Sequence, residues 1–515
     1  MPLTANLHLL SPEFALAGLA FAVFAADLLL PDNRKELTAW LSVAGLLGLI
    51  AVSLVLLWGE DELLYGGLLA VDAYSLFFKV FFLGLGVFII FASVEFVKQH
   101  LENQGEFYGL LLLSVLAMNL MVQSRELLTA YISLELLSFC LYVLAAYARS
   151  EPKSNEAGLK YIIIGAFSSA ILLYGISMVY STLGVTRFED IYVEINRVLA
   201  AGGDPSPALW VGLALILVGL GFKVSAVPFH MWAPDVYEGA PFPVTAYLAI
   251  GSKAAAFALL LRLFNESVLP VAGQWQIIVA VMAAVTMLVG NLVALAQRNI
   301  KRLMAYSSIG HVGIILGGIA ALSPDSIQAS NAIMLYLVGY SITNLVVFTG
   351  LISFFNMNGR EQIADFAGLA DRSPFLAAAI AIGLFSLGGL PIFAGFTVKF
   401  YLFTALAREG LLWLAALAIF SSLISLYYYL QVIRQMYIQP APTYAEESEE
   451  AAANVTDASG ESGPATAQGA MALSPSVLMI AVLSIGVLAV VWVGVYPAPL
   501  VDLIEAASWA ILPVN

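Results

Sequence analysis

The stretch "GLGFKVSAVPFHMW", residues 219–232, lies in a run that is otherwise apolar from Ala208 onward, yet it holds Lys223 and, five residues later, Pro228. A charged side chain at the centre of a bilayer costs about 2.5–3.5 kcal/mol on insertion scales. A proline inside a helix removes one hydrogen bond and clashes with the preceding turn. In hydrocarbon the freed carbonyls need other partners, so such a break is tolerated only where it faces protein or a wet cavity. The stretch therefore reads as a membrane helix interrupted beside a polar interior.

The surrounding chain fits that setting. Of its 515 residues 61% are hydrophobic and 11% charged, with mean hydropathy +0.92, against roughly 25% charged in soluble domains. Apolar runs of about 20 residues, the length that crosses the hydrocarbon core, number fourteen, from 10–30 to 475–496. Two are too long for plain helices: the seventh, 208–236, with Pro228, and the twelfth, 375–407, with Pro391 in "LGGLPIFAGFTVKF". They stand five helices apart, and a five-helix repeat must re-enter the membrane upside down. The predicted fold is an all-α polytopic bundle with an inverted five-helix repeat and two discontinuous helices, the architecture of transporters. Its predicted parts are N-terminal helices 1–3 over 1–106, a first repeat over 107–265 and an inverted second repeat over 266–437. An acidic disordered loop over 438–474 and a last membrane helix with the C-terminus over 475–515 complete it. The turn between the fourth and fifth helices rests only on "QSRE".

Lysine and arginine placement sets the orientation. One set of loops holds twelve and the opposite set five, the latter including Arg125 and Arg262. The richer side is predicted to be cytoplasmic, with the acidic loop, and both termini on the other side. "MPLTANLHLLSPEF" has no basic region or cleavage site of a signal peptide. Much of the net charge of −14 comes from "AEESEEAAANVTDASGESG", a solvated segment by composition. The single cysteine, Cys140, excludes a disulfide framework and an iron–sulfur site on this chain alone.

Four ionisable residues fall well inside spans: Glu135 in "AYISLELLSFC", Lys223, Lys253 in "AIGSKAAAFALL" and Lys399 in "GFTVKFYLF". Together they cost on the order of 10 kcal/mol. Snorkelling to the headgroups suits Lys79, near the start of its helix, but not Lys253, with about twelve apolar or small residues on either side. The four read as a charge-carrying path. A buried ammonium loses its hydration, so a carboxylate such as Glu135 alongside Lys223 would help it keep its proton, and a purely structural Glu–Lys pair is the alternative reading. His230, beside the first break, and His311 in "SSIGHVGIILGG" are candidate relays. Each also reads as a hydrogen-bonded core histidine. No nucleotide, metal-protease or nucleic-acid motif is present, and no metal or cofactor site is predicted on the chain.

"FKVSAVPFHMWAPDVYEGAP", "GSKAAAFALLLR", "NIKRLMAYSSIGHVG" and "GLPIFAGFTVKFYLF" resemble the antiporter-like subunits of complex I-type NAD(P)H–quinone oxidoreductases. The resemblance covers nearly all the chain from about residue 70. It is greatest to the subunit 2 (N chain) branch, because no long lateral helix follows the fourteenth span and a lysine stands at 399. The wording and the acidic insert are similar to the cyanobacterial and chloroplast form, which implies a thylakoid membrane and plastoquinone.

The resemblance implies that Glu135 and Lys223 form the coupling pair, Lys253 the central relay and Lys399 the terminal site, with His230 and His311 beside the axis. It also implies that NAD(P)H or ferredoxin, the iron–sulfur clusters and the quinone bind partner subunits, among them neighbouring antiporter-like subunits. This chain would then translocate protons without a redox centre of its own. Two alternatives remain: a subunit of a multi-chain sodium/proton antiporter, and an inactive membrane scaffold.

Overall fold

The computed structural model describes residues 6–324, 326–440 and 475–512. The acidic loop predicted over 438–474 therefore lies almost wholly outside the described residues. The first two membrane helices, α1 (Ser11–Leu29) and α2 (Leu37–Leu57), lead into a short antiparallel hairpin of β1 (Glu62–Leu64) and β2 (Leu69–Val71). Then follow α3 (Ala73–His100), α4 (Gln104–Gln123), α5 (Leu127–Ala145) and α6 (Pro152–Leu183). Asp72 and Ser75 form a reciprocal capping box at the start of α3, and Pro152 opens α6 at a position where its missing N–H costs nothing.

Both predicted breaks are present. The seventh span is α8 (Pro207–Val224) and α9 (Trp232–Gly239), and the twelfth is α16 (Pro374–Gly388) and α17 (Ala394–Arg408), once α10 to α15 are counted between them. Those are α10 (Phe242–Tyr247), α11 (Lys253–Leu263), α12 (Ala272–Ala294), α13 (Ile300–Ala320), α14 (Gln328–Asn358) and the single turn α15 (Leu369–Arg372). α10 and α11 form one span through a π-turn at Leu248–Ser252, and a second π-turn at Phe264–Val268 extends it. α18 (Leu412–Tyr437), α19 (Val477–Val495) and α20 (Ala498–Ser508) end the described chain. Among the described residues, twelve stretches are long and apolar enough to cross a membrane. One of them, Phe242–Ala294, holds two spans, and the interrupted α16–α17 completes the predicted fourteen.

The connection between the sixth and seventh spans holds a helix of its own. Within 182–208, α7 (Phe188–Ala200) buries Phe188, Ile191 and Ile195 on one face and carries Glu189, Asp190 and Glu194 elsewhere. That spacing makes an amphipathic surface helix, too short and too charged to span.

Two isolated strand bridges have the same construction. Glu126 pairs with Arg187, closed by Leu127 N–H to Thr186 O (3.1 Å) and Phe188 N–H to Arg125 O (2.9 Å). Asn299 pairs with Gln362, closed by Ile300 N–H to Glu361 O (3.0 Å) and Ile363 N–H to Arg298 O (2.8 Å). Glu126 and Asn299 each cap the helix that follows, accepting from Thr129 N–H and from Lys301 N–H respectively.

Small residues let the helices approach closely where hydrocarbon supplies no hydrophobic drive. Gly175 of α6 and Gly212 of α8 face each other backbone to backbone, and a Cβ on Gly290 of α12 would strike the backbone of Gly310 on α13. Gly290→Val is expected to force α12 and α13 apart at a cost of about 1–3 kcal/mol, the usual range for overpacking. The check is a lowered thermal unfolding temperature in detergent; an unchanged temperature would refute the tight contact.

Candidate functional site

Lys223 occupies the last turn of α8, 2% exposed, and its Nζ donates to Ser138 Oγ of α5 at 2.9 Å. A cation suits this place because the carbonyl end of a helix is negative. The helix stops at Ser225, which adopts a left-handed conformation (φ 64°), and the Val227–Pro228 bond is cis. Partners take up the backbone groups that the break frees. Trp232 Nε1 donates to Phe222 O (2.9 Å) and Val227 N–H to Thr286 Oγ1 (3.0 Å).

Glu135 does not form an ion pair with Lys223. It is half-buried on α5 and accepts a short hydrogen bond from Ser169 of α6. Ser138, one turn along α5 from Glu135, is the group that reaches Lys223. A small void lined by Ser138, Ser168, Ser169 and Lys223 lies between these helices. The expected pair is thus two neighbours separated by serines.

Lys253, 2% exposed, begins α11 directly after the first π-turn, and its ammonium donates to Ser308 of α13. Tyr340 donates to the same hydroxyl (2.8 Å), and the Tyr237 ring lies 5.4 Å from the ammonium. Ser308 and His311 share one face of α13, and Tyr336 and Tyr340 one face of α14. His311 Nδ1 lies 2.7 Å from Tyr336 Oη, and Nε2 lies 3.4 Å from Tyr429 Oη, which also bonds Ser307. Hydroxyls therefore link Lys253 to the surroundings of His311.

Lys399, on α17, donates to Leu387 O (2.8 Å), a carbonyl freed where α16 ends before Pro391. Gly389 makes this fit, with φ 86° and a Cβ position only 3.4 Å from Lys399 Nζ. Ile392 in the same break has φ 81°, a rare conformation for a β-branched residue. Such strain clusters where a surrounding structure holds a functional element.

Between Lys223 and Lys253 stands an aromatic group that sequence reading missed. Tyr161 lies 6.0 Å from Lys223 Nζ, stacks on Trp232 (4.4 Å) and turns its hydroxyl towards Ser252, the neighbour of Lys253. The Tyr161, Tyr237 and Ser252 hydroxyls are buried without a well-aligned hydrogen bond, a state that costs about 1–3 kcal/mol per group. His230 is buried in the first break with Nδ1 likewise unpartnered. Among the described residues it forms no hydrogen bond to either lysine or to His311. Ser138, three residues after Glu135, and Ser308, three before His311, were findable from helical spacing. Tyr161 and Tyr237 carried no such signal.

Two expectations are corrected. Lys79 does not snorkel: it is fully buried, its Nζ 2.6 Å from Glu13 of α1, and Gln123 of α4 donates to the same carboxylate. Its helix faces the bundle interior, so an internal partner replaces the headgroups. Arg262 is not a loop residue, because the second π-turn carries the helix past it. It is completely buried, doubly bonded to Asp72 (2.8 Å each) and 3.3 Å from Glu266, which also binds Arg125 at 2.7 Å. Arg125 thus belongs to this separate cluster. A third cluster joins Lys160 and Arg302 to Asp235 of α9, with Glu238 also on Arg302.

A bundle of membrane helices with two breaks and buried lysines at both defines a polytopic transport-type protein. The family described as NADH:quinone oxidoreductase/Mrp antiporter, TM, matches residues 124–425, and the chain belongs to that family. NADH-quinone oxidoreductase subunit N of Moorella thermoacetica is 42% identical over 438 residues, 85% of this chain and 90% of the relative. The subunit N of Desulforamulus reducens is 37% identical over 98% of this chain and 99% of its own. A chain of respiratory complex I from Thermus thermophilus superposes with TM-score 0.74 at 29% identity, covering 96% of this chain and 99% of that one. A chain of the Mrp complex from Dietzia sp. DQ12-45-1b shares the fold, with TM-score 0.82 at 20% identity and 98% of both chains covered.

Gly389→Ala must place a Cβ in a left-handed residue, at about 1–2 kcal/mol, and against the Lys399 side chain. The expected outcome is a protein that still assembles but moves protons several-fold more slowly, read as acidification of sealed vesicles. Wild-type rates would show that the carbonyl contact of Lys399 does not matter.

Proposed function

We propose that the chain is a proton-translocating membrane subunit of a complex I-type NADH–quinone oxidoreductase. The observation that carries this reading is the set of three lysines buried in three spans. Two stand at helix breaks, and the third lies between them among serine and tyrosine hydroxyls. The subunit N relatives, 37–42% identical over most of the chain, support it. In this reading protons pass from Lys223 by way of Lys253 to Lys399. Glu135 sets the proton affinity of Lys223 across Ser138 and Ser169, and His311 serves as a relay.

His230, buried beside the first break, serves as a second relay. NADH, the iron–sulfur clusters and the quinone bind partner subunits. The enzyme activity belongs to the assembly, and this chain supplies translocation. Neighbouring membrane subunits, other antiporter-like chains included, are its partners. The matched bridges at Glu126 and Asn299, together with the paired breaks, support an inverted repeat over 107–265 and 266–437. The basic-rich ends are cytoplasmic, and the termini face the opposite side.

Plastoquinone and a thylakoid location rest on the sequence resemblance and the acidic insert alone. The relatives named above are NADH-quinone oxidoreductase subunits, so quinone in general is the acceptor class proposed. The Mrp antiporter reading draws on the shared family and fold.

Lys223→Met and Lys253→Met, each in the assembled complex in sealed vesicles, test the reading. Quinone reduction and acidification are followed together, with His230→Ala in parallel. Both lysine variants should assemble and lose most of the coupled acidification. Wild-type acidification in both would make the chain a scaffold. Sodium-dependent transport without electron input would make it an antiporter subunit.

A further inference from the structure

An apolar crevice beside the helix of Lys223 lies outside the polar axis. It is a cavity of about 370 Å³ between α8, the second π-turn and α12, with Ile191 of α7 over it. Clefts of roughly 300–1,000 Å³ are the size that holds small ligands. Its walls include Leu213, Ala214, Leu217, Phe264 and Trp275, and its only polar side chains are Ser267 and Gln274. Ser267 Oγ already donates to Leu263 O (2.6 Å). Water needs two to four polar partners and does not fill such a space.

The mouth opens outward at Ile278, which lines the cavity and is 58% exposed on a membrane-spanning helix. An exposed isoleucine on such a helix suits a hydrocarbon surrounding. Amphipathic α7 roofs the crevice with its apolar face inward and its charges outward, the arrangement of a helix lying in the headgroup plane. Inward, the crevice meets a second void of about 20 Å³ that shares Leu127, Ile216 and Leu263 and extends to Leu134 and Leu220. Those two residues lie on the helices of Glu135 and Lys223.

We infer that this crevice binds one acyl chain of a membrane phospholipid, with the headgroup at the level of α7. The tail enters past Ile278 and packs against Trp275, bracing the first half of the broken span against the second π-turn. The inference is independent of which ion the chain moves.

The test uses the full chain in nanodiscs of phosphatidylcholine with or without brominated acyl chains, which quench tryptophan on contact. The Trp275 contribution is taken by difference from Trp275→Phe, and the core Trp232 contribution from Trp232→Phe. Trp275 is only 7% exposed and Trp232 1%, so bulk lipid touches neither freely. Brominated lipid should quench Trp275 well beyond Trp232. Ala214→Phe, or Leu217→Phe one turn on, should remove that excess by filling the crevice. Equal quenching of the two tryptophans in the parent chain would overturn the inference, whatever the variants do. Excess quenching unchanged in both folded variants would also overturn it. Quenching that appears only when a quinone is added to unbrominated discs would assign the crevice to a quinone tail instead.

Discussion

Hydrocarbon offers no hydrogen bonds, so each backbone group exposed by an interrupted membrane helix must find a partner inside the protein. Both breaks are organised around that demand. At the first, the indole of Trp232 takes the Phe222 carbonyl and Thr286 receives the Val227 amide. At the second, the ammonium of Lys399 takes the Leu387 carbonyl. The residue that carries charge there is also the one that satisfies the broken helix. That dual use ties the helix geometry at the second break to the state of its lysine.

The same economy governs the buried charges. Desolvating an ion is costly unless it is paired or well hydrogen-bonded. Glu13 with Lys79, and Asp72 and Glu266 with Arg262, meet this by direct ion pairing. Lys223, Lys253 and Lys399 do not. They hold neutral acceptors, a serine, another serine and a carbonyl. A lysine locked to a carboxylate has little reason to give up its proton, whereas one held by neutral groups can lose it without stranding an opposite charge. The contrast separates two kinds of buried cation within a single bundle, those paired with carboxylates and those held by neutral groups.

The fold was largely legible in the sequence because a membrane helix is specified locally. Twenty apolar residues, a proline or a glycine act through their own neighbours. All fourteen spans and both interruptions followed from that, and even "QSRE" sufficed to mark the turn between α4 and α5. Helix α7 is too short and too charged to register as a span, and only its packing shows Phe188, Ile191 and Ile195 on one buried face. Lys223, Lys253 and Lys399 were legible for an equally local reason: a charge in an apolar run stands out on composition.

What the charges meet was not legible, because partners come from helices remote in sequence. Glu135 and Lys223 suggested a pair, and the bundle instead set Ser169 on the first and Ser138 on the second. Lys79 found Glu13 and Arg262 found Asp72 through packing that no spacing records. The sequence by itself determined where the chain crosses the membrane, where it breaks and which residues carry charge inside, since each is a property of a short segment in a given solvent. Only the tertiary structure decided which charges meet an opposite charge and which are held by neutral groups, because that depends on side-chain contacts between helices.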